Sequence, residues 1–262
     1  MNLDLTGKTA LVAGSTQGIG KKTAEQLAKM GASLVLVARN EEKLKTVMTE
    51  LHTVDGAEHR YIIADFSNYK EVKERVSKFF KQYPQVHILV NNTGGPPGGP
   101  IIDADPEEFL NAFQSHLICN HVLAQTCVPL MRKAGYGRII NVVSTSVKAP
   151  LTNLGVSNTV RGAVANWAKT LANEISRYSI TVNNVLPGAT NTSRLTSIVE
   201  KKVEKTGKSF EEVLLEMNNA VPMKRVAEPE ETADAIAFLA SPAAGYINGT
   251  NVPVDGGRTP VL

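Results

Sequence analysis

Three glycines, Gly14, Gly18 and Gly20, close the run Thr-Ala-Leu-Val-Ala-Gly-Ser-Thr-Gln-Gly-Ile-Gly from Thr9 to Gly20, with Ser15, Gln17 and Ile19 set among them. Such a turn lets backbone N–H groups approach an anion closely, and the positive end of a following helix adds to the attraction, so a pyrophosphate is its natural guest. Glycines alone mark many ordinary turns, so the neighbours decide. A short apolar run precedes this turn, and Ala24, Leu27 and Ala28 follow it at helical spacing. A second apolar run, Ser33 to Val37, comes after Gly31. The sequence therefore predicts a strand, a glycine turn, a helix and a parallel strand in about thirty residues, the size of a dinucleotide half-site.

A second group of candidates stands where the later strands end. After the second strand, Ala38-Arg39-Asn40 opens a helix expected to run to about Leu51; Ala38 stands in place of the acidic residue that would accept hydrogen bonds from an adenosine ribose, and Arg39 comes next. A guanidinium there offers a planar fork to a 2′-phosphate, so the pair reads as NADP(H) in preference to NAD(H); otherwise Arg39 is a solvated surface arginine. Asp65 and Phe66 end a third strand, His59 to Ala64, and bring a carboxylate and a backbone N–H to an adenine edge. The fourth strand, His87 to Val90, runs into Asn91-Asn92-Thr93-Gly94 and a tract rich in Gly and Pro, a ligand loop at the carboxyl end of a sheet or a plain linker.

The remaining elements alternate in the same way. Asp105-Pro106-Glu107-Glu108 signals a helix start, with one helix expected to Lys133. A fifth strand, Arg138 to Val143, ends in Ser144-Thr145-Ser146; a helix follows from about Asn158 to Tyr178, and a sixth strand, Ile180 to Leu186, stops at Pro187-Gly188. Residues 193–222 carry mixed charges at helical spacing and read as a mobile helical lid. A last helix to Leu239 and a seventh strand, Asn251 to Val254, complete an α/β fold: a single-domain, Rossmann-type doubly wound parallel sheet of about seven strands spanning 1–262.

The 262 residues carry a net charge of only +3 with no basic stripe, so no nucleic acid partner is expected. No apolar run suits a membrane span and the start lacks the form of a signal peptide, so the expected compartment is the cytoplasm. Cys119 and Cys127 lie eight apart on one predicted helix, too far for a disulfide and without metal-site spacing, and read as packing residues.

Taken together, these motifs resemble the short-chain dehydrogenase/reductase family over nearly the whole chain, with the flavour of its β-ketoacyl carrier-protein reductases. Gly14, Gly18 and Gly20 match the glycine loop, with Ala13 where a threonine is usual, and Asn91-Asn92-Thr93-Gly94 is similar to Asn-Asn-Ala-Gly. Pro187-Gly188 with Thr192 resembles the segment that holds the nicotinamide and pyrophosphate, and Tyr246 to Gly257 resembles the C-terminal signature. The resemblance implies an oxidoreductase that moves a hydride between a nicotinamide cofactor and a small carbonyl, alcohol or acyl-thioester substrate. It also implies a homotetramer or at least a dimer, built through the two long helices.

The family's Asn-Ser-Tyr-Lys tetrad is where the chain departs. Ser144 matches the serine, Ser157 stands at the tyrosine position, Arg161 at the lysine position and His116 at the asparagine position. No tyrosine lies between Tyr136 and Tyr178 to rescue the pattern. A phenol lowered by a neighbouring lysine protonates the developing alkoxide near neutrality, and a serine hydroxyl is a far weaker acid. Losing a general acid costs about 10²–10⁴ in rate. His116 is the leading substitute donor, unless it is simply satisfied within the helix packing; Lys148 is a second candidate. Arg161 keeps a positive charge for nicotinamide-ribose hydroxyls. The alternative to an enzyme is a dinucleotide-binding sensor or assembly partner.

Overall fold

The computed structural model describes residues 1–54 and 56–261. Its first half runs β1 (Thr9–Ala13), α1 (Gly18–Lys29), β2 (Ser33–Ala38), α2 (Glu41–Glu50), β3 (Arg60–Ile63), α3 (Tyr69–Gln82) and β4 (Ile88–Asn91). The second half runs α4 (Pro106–Ala112), α5 (Cys119–Ala134), β5 (Gly137–Val142), α6 (Gly155–Ile175), β6 (Ile180–Pro187), α7 (Ser193–Thr206), α8 (Phe210–Asn219), α9 (Pro229–Ala240) and β7 (Asn251–Val254). The strands form one seven-stranded parallel sheet in the order β3-β2-β1-β4-β5-β6-β7, the doubly wound sheet expected from the sequence. The winding reverses between β1 and β4. A crevice outside their carboxyl ends is where open α/β sheets take ligands.

Alternation along each strand feeds two apolar layers, which is why the strands read as continuous hydrophobic runs. Ala10, Val12, Leu34, Leu36, Ile88 and Val90 meet α1, α2 and α9 through Leu27, Leu44 and Ile236. Leu11, Val35, Val37, Leu89, Ile139 and Val182 meet α3, α5 and α6 through Val72, Leu123 and Ala172. Each of the Val, Leu and Ile side chains, fully buried, contributes about 1.5–3 kcal/mol.

On the α5 and α6 side, a chain of side-chain amides crosses half of the sheet. Asn91 Nδ2 donates to Asn141 Oδ1 at 2.8 Å, Asn141 Nδ2 to Asn184 Oδ1 at 2.9 Å, and Asn184 Nδ2 to Asn251 Oδ1 at 2.8 Å. The four are register partners on β4, β5, β6 and β7. Buried amides need such partners, since an unpaired one costs about 1–3 kcal/mol.

Three boundaries differ from the expectations. Ala38 ends β2 instead of opening a helix, because Asn40 caps α2 by accepting from the Lys43 N–H at 2.9 Å. The helix expected from Asn158 begins at Gly155, where a Cβ would lie 2.4 Å from that of Ile101. The single helix expected from Pro106 to Lys133 is interrupted by a π-helical turn, Phe113–Ile118, between α4 and α5. That widened turn carries Gln114, whose Nε2 donates to the Ser67 carbonyl after β3, and His116, which meets Thr93 after β4. Its side chains thus end on the loops at the sheet's carboxyl edge, in keeping with the frequent placement of π turns at functional sites.

The cysteines behave as packing residues. Both thiols are free and buried, burial pushes each up to about 12, and Cys119 Sγ donates to the Phe66 carbonyl at 3.3 Å.

Candidate active site

The β1–α1 turn is built by close backbone approach. Gly14 and Gly18 adopt φ of 60° and 52°, the left-handed region that side chains resist. A Cβ on Gly14 would lie 2.6 Å from the Asn92 carbonyl oxygen, and one on Gly20 would lie 2.2 Å from the Gly14 carbonyl oxygen. Asn92 binds the turn from the β4 side, its Nδ2 donating to the carbonyls of Ala13 and Gly14 at 3.3 and 3.2 Å. Ile19 packs into the core beneath, while Gln17 caps α1 in an extended conformation with no side-chain hydrogen bond to the first turn. Ser15 is fully buried and its Oγ has no partner. A helix start without a side-chain cap and an orphaned hydroxyl beside it fit a pyrophosphate group.

At the β2 end, Ala38 leaves the strand tip without a carboxylate and Arg39 sits in the bend beyond it. Its guanidinium is three-quarters exposed and lies 3.9 Å from Asp65. An exposed pair at that distance is weak, so the guanidinium is free to turn toward a phosphate. Asp65 also accepts from the Ser67 N–H at 2.9 Å, and Phe66 packs partly onto the α3–α5 layer.

The β4 end carries the buried Asn91, whose Oδ1 is unpartnered, followed by Thr93 and the exposed Gly94. Across the crevice, Pro187 closes β6, and the Gly188 N–H donates to the Val254 carbonyl at 2.9 Å. A Cβ on Gly188 would lie 2.9 Å from Asp255 Cα, which accounts for the glycine and for the Asp-Gly-Gly turn after β7. Thr192 caps α7, and its Cγ2 would stand 3.1 Å from a Cβ on Gly18. The glycine turn and the Pro187–Thr192 segment are therefore neighbours, as the resemblance implied.

Ser144 follows β5. Its Oγ accepts from the Ser146 N–H at 3.1 Å, which leaves its own O–H free to donate. Ser157 and Arg161 lie one turn apart on α6, and Arg161 Nη1 donates to the carbonyl of Val142 at the end of β5 with a 2.7 Å bond. Arg161 is only 8% exposed, and burial together with the neighbouring Arg194 brings its guanidinium down to about 10, so it stays charged at neutral pH.

His116 is buried against Thr93, with Nδ1 and Oγ1 2.5 Å apart. Burial and the Arg161 charge push its imidazole down to about 2, against a smaller opposing contribution from the Gly94 backbone. The one N–H left on a neutral ring is too weak an acid to protonate an alkoxide efficiently near neutrality, so burial against Thr93 favours the satisfied histidine over the proton donor.

Two residues were not singled out from the sequence. Asn92 was legible only as part of a motif, yet it clamps the glycine turn. Arg194, on the first turn of α7, donates from Nη2 to the Pro96 carbonyl at 2.7 Å across the crevice, and no spacing in the chain links it to that loop.

Comparison with known proteins places this geometry. The family model described as Enoyl-(Acyl carrier protein) reductase matches residues 13–259. The chain is 31% identical to the 3-oxoacyl-[acyl-carrier-protein] reductase of Haemophilus influenzae, over 97% of this chain and 98% of that protein. It is 30% identical to the NADPH-dependent reductase BacG of Bacillus subtilis, over 97% and 98%. In structure it is similar to the L-sorbose reductase of Gluconobacter frateurii complexed with NADPH and L-sorbose, with a TM-score of 0.94, 32% identity and all of both chains covered. With the glycine turn, the β4 loop and the Pro187–Thr192 segment meeting at one crevice, the chain belongs to the short-chain dehydrogenase/reductase family.

Proposed function

We propose that this protein is an NADP(H)-dependent oxidoreductase that interconverts a carbonyl and an alcohol in the manner of the 3-oxoacyl reductases, with the phenol and ammonium of the usual tetrad replaced by Ser157 and Arg161. The cofactor assignment rests on Arg39 at a strand tip where Ala38 removes the acidic ribose partner. The NADPH named with BacG and with the sorbose reductase supports it. Residues 1–262 act in this reading as one domain, with α7 and α8, in 193–222, as its lid.

A bound nicotinamide supplies or accepts the hydride at the carbonyl carbon. Ser144, whose O–H is free, orients the carbonyl oxygen. Arg161, fixed to the Val142 carbonyl through Nη1, places positive charge beside the reacting end. Ser157 can hydrogen-bond the developing alkoxide but, unlike a phenol, is too weak an acid to protonate it efficiently near neutrality, so the proton is drawn from bulk solvent, which is left with the matching hydroxide. The catalytic step is correspondingly slow. We also propose a homotetramer, or at least a dimer, formed through α5 and α6, where Trp167 and Leu171 remain partly open.

A second reading, a dinucleotide-binding sensor or assembly partner without turnover, is favoured by one observation: the histidine nearest the site is buried and neutral. Direct NADPH binding, run beside cofactor oxidation against a panel of ketones and ketoacyl thioesters, separates the two. Binding with turnover supports the enzyme. Binding with no turnover of any panel member supports the sensor.

A further inference from the structure

Arg161 and Arg194 come from different helices, α6 and α7, and meet at the loop after β4. A Cβ built on Gly95 would lie 3.7 Å from an Nη2 nitrogen of each. The two nitrogens are therefore separated by no more than twice that distance, a gap that one carboxylate or phosphate can bridge. Each guanidinium is already aimed: Arg161 by its bond to the Val142 carbonyl and Arg194 by its bond to the Pro96 carbonyl, both 2.7 Å long.

What they lack is a counter-charge. Among the described residues, the arginines paired with carboxylates are Arg39, Arg60, Arg75 and Arg225. Arg161 and Arg194 are not among them. Holding a buried guanidinium beside a second one without an anion is costly, because desolvation and repulsion act together. The depressed Arg161 guanidinium reports that same strain.

Resting on the reading above of a carbonyl or alcohol oxidoreductase, we propose that Arg161 and Arg194 clamp an anionic oxygen group, carboxylate or phosphate, carried by the substrate next to its carbonyl. The position argues for the substrate over the cofactor. The pyrophosphate fits the Gly14–Gly20 turn, whereas the clamp lies at Gly95, past the Asn91–Gly94 run and one helical turn from Ser157. It also makes Arg194 a latch: one guanidinium from the lid helix touches the β4 loop and the bound anion together, so an anionic substrate draws α7 onto the cleft.

The test is calorimetric titration of the full chain, with and without NADP⁺, using two matched pairs: acetoacetate against methyl acetoacetate, and dihydroxyacetone phosphate against dihydroxyacetone. The charged member of at least one pair binds about tenfold or more tighter than its neutral partner, as expected for charge-assisted hydrogen bonds. The pair that shows the preference names the anion. Arg194→Gln, at an exposed position, abolishes the preference; Arg161→Gln does the same, and Arg161→Lys keeps part of it.

Equal binding within both pairs, or a preference that persists in Arg194→Gln, overturns the clamp. So does a loss of NADPH affinity in Arg194→Gln, which would assign the pair to the cofactor. If the charged probes are preferred while the panel of ketones and ketoacyl thioesters gives no NADPH oxidation, the clamp stands and the oxidoreductase reading falls.

Discussion

At the scale of single residues, proton supply and cofactor charge decide what this cleft can do. Ser157→Tyr combined with Arg161→Lys restores an acid of usable pKa on α6 and is expected to raise ketone reduction by about tenfold or more over the parent, read as NADPH oxidation. Because the His116 ring is neutral and held by Thr93, His116→Ala in the parent is expected to leave kcat within about threefold, the range left when no general-acid contribution is lost. A collapse of activity in that variant would make the histidine the acid after all. Arg39→Ala is expected to weaken NADPH by about tenfold while NADH is nearly unchanged, the loss of a charge-assisted bond; an unchanged ratio by calorimetry would refute the 2′-phosphate assignment. These residues were legible because a family motif fixes their spacing. The contacts of Arg194 and of Asn92 were not, since Arg194 reaches Pro96 98 residues away and Asn92 reaches Ala13 79 residues away along the chain.

At the scale of elements, periodicity and caps carried most of the information. The range of α3, Tyr69–Gln82, follows from its heptad-like apolar face and from Asn68, which accepts from the Glu71 N–H. The π turn at 113–118 was invisible: its residues keep helical composition, and only the tertiary pull of Thr93 and the Ser67 carbonyl distinguishes it from an α-helix. Residues 193–222 were legible as helical, but not their division at Gly207, whose φ of 71° ends α7. Ser209 then starts α8 with a reciprocal capping box to Glu212. Ser209→Ala is expected to lower the local stability of α8 by about 1 kcal/mol. Faster hydrogen exchange over residues 210–219, with the β1–β6 amides unaffected, is the signature; uniform acceleration would show that α8 opens only with the whole fold.

At the scale of the whole molecule, stability should be set on the acid side by buried imidazoles. His87 Nδ1 accepts from the Thr9 N–H at the start of β1, a bond that only the neutral ring can make, and burial lowers it to about 4. His116 lies lower still. Both folded values fall below the unfolded one, so the unfolded chain takes up more protons once the pH drops below about 6.5 and stability declines from there, by about 1.4 kcal/mol per pH unit for each ring. Urea midpoints that are flat between pH 7 and 5 would contradict this, and His87→Asn, which keeps an acceptor, should flatten the decline by about half. Light scattering at micromolar concentration tests the proposed assembly: a tetramer or dimer mass is expected, and a monomer mass would remove α5 and α6 as an interface.

The amide chain across β4, β5, β6 and β7 bears on how accurately such a cleft can be assembled. Two parallel strands can slide past one another by two residues and still show the same faces to the core, so apolar packing alone leaves that error cheap. Here a slide would break a bond at every amide it displaced. The asparagines thus act as a datum line drawn across the sheet. Gly94, Ser144 and Pro187 each stand three residues beyond their own strand's amide, at Asn91, Asn141 and Asn184. Measured from that line, the loop, the hydroxyl and the strand end at the crevice all follow their strands' amides at the same count of residues.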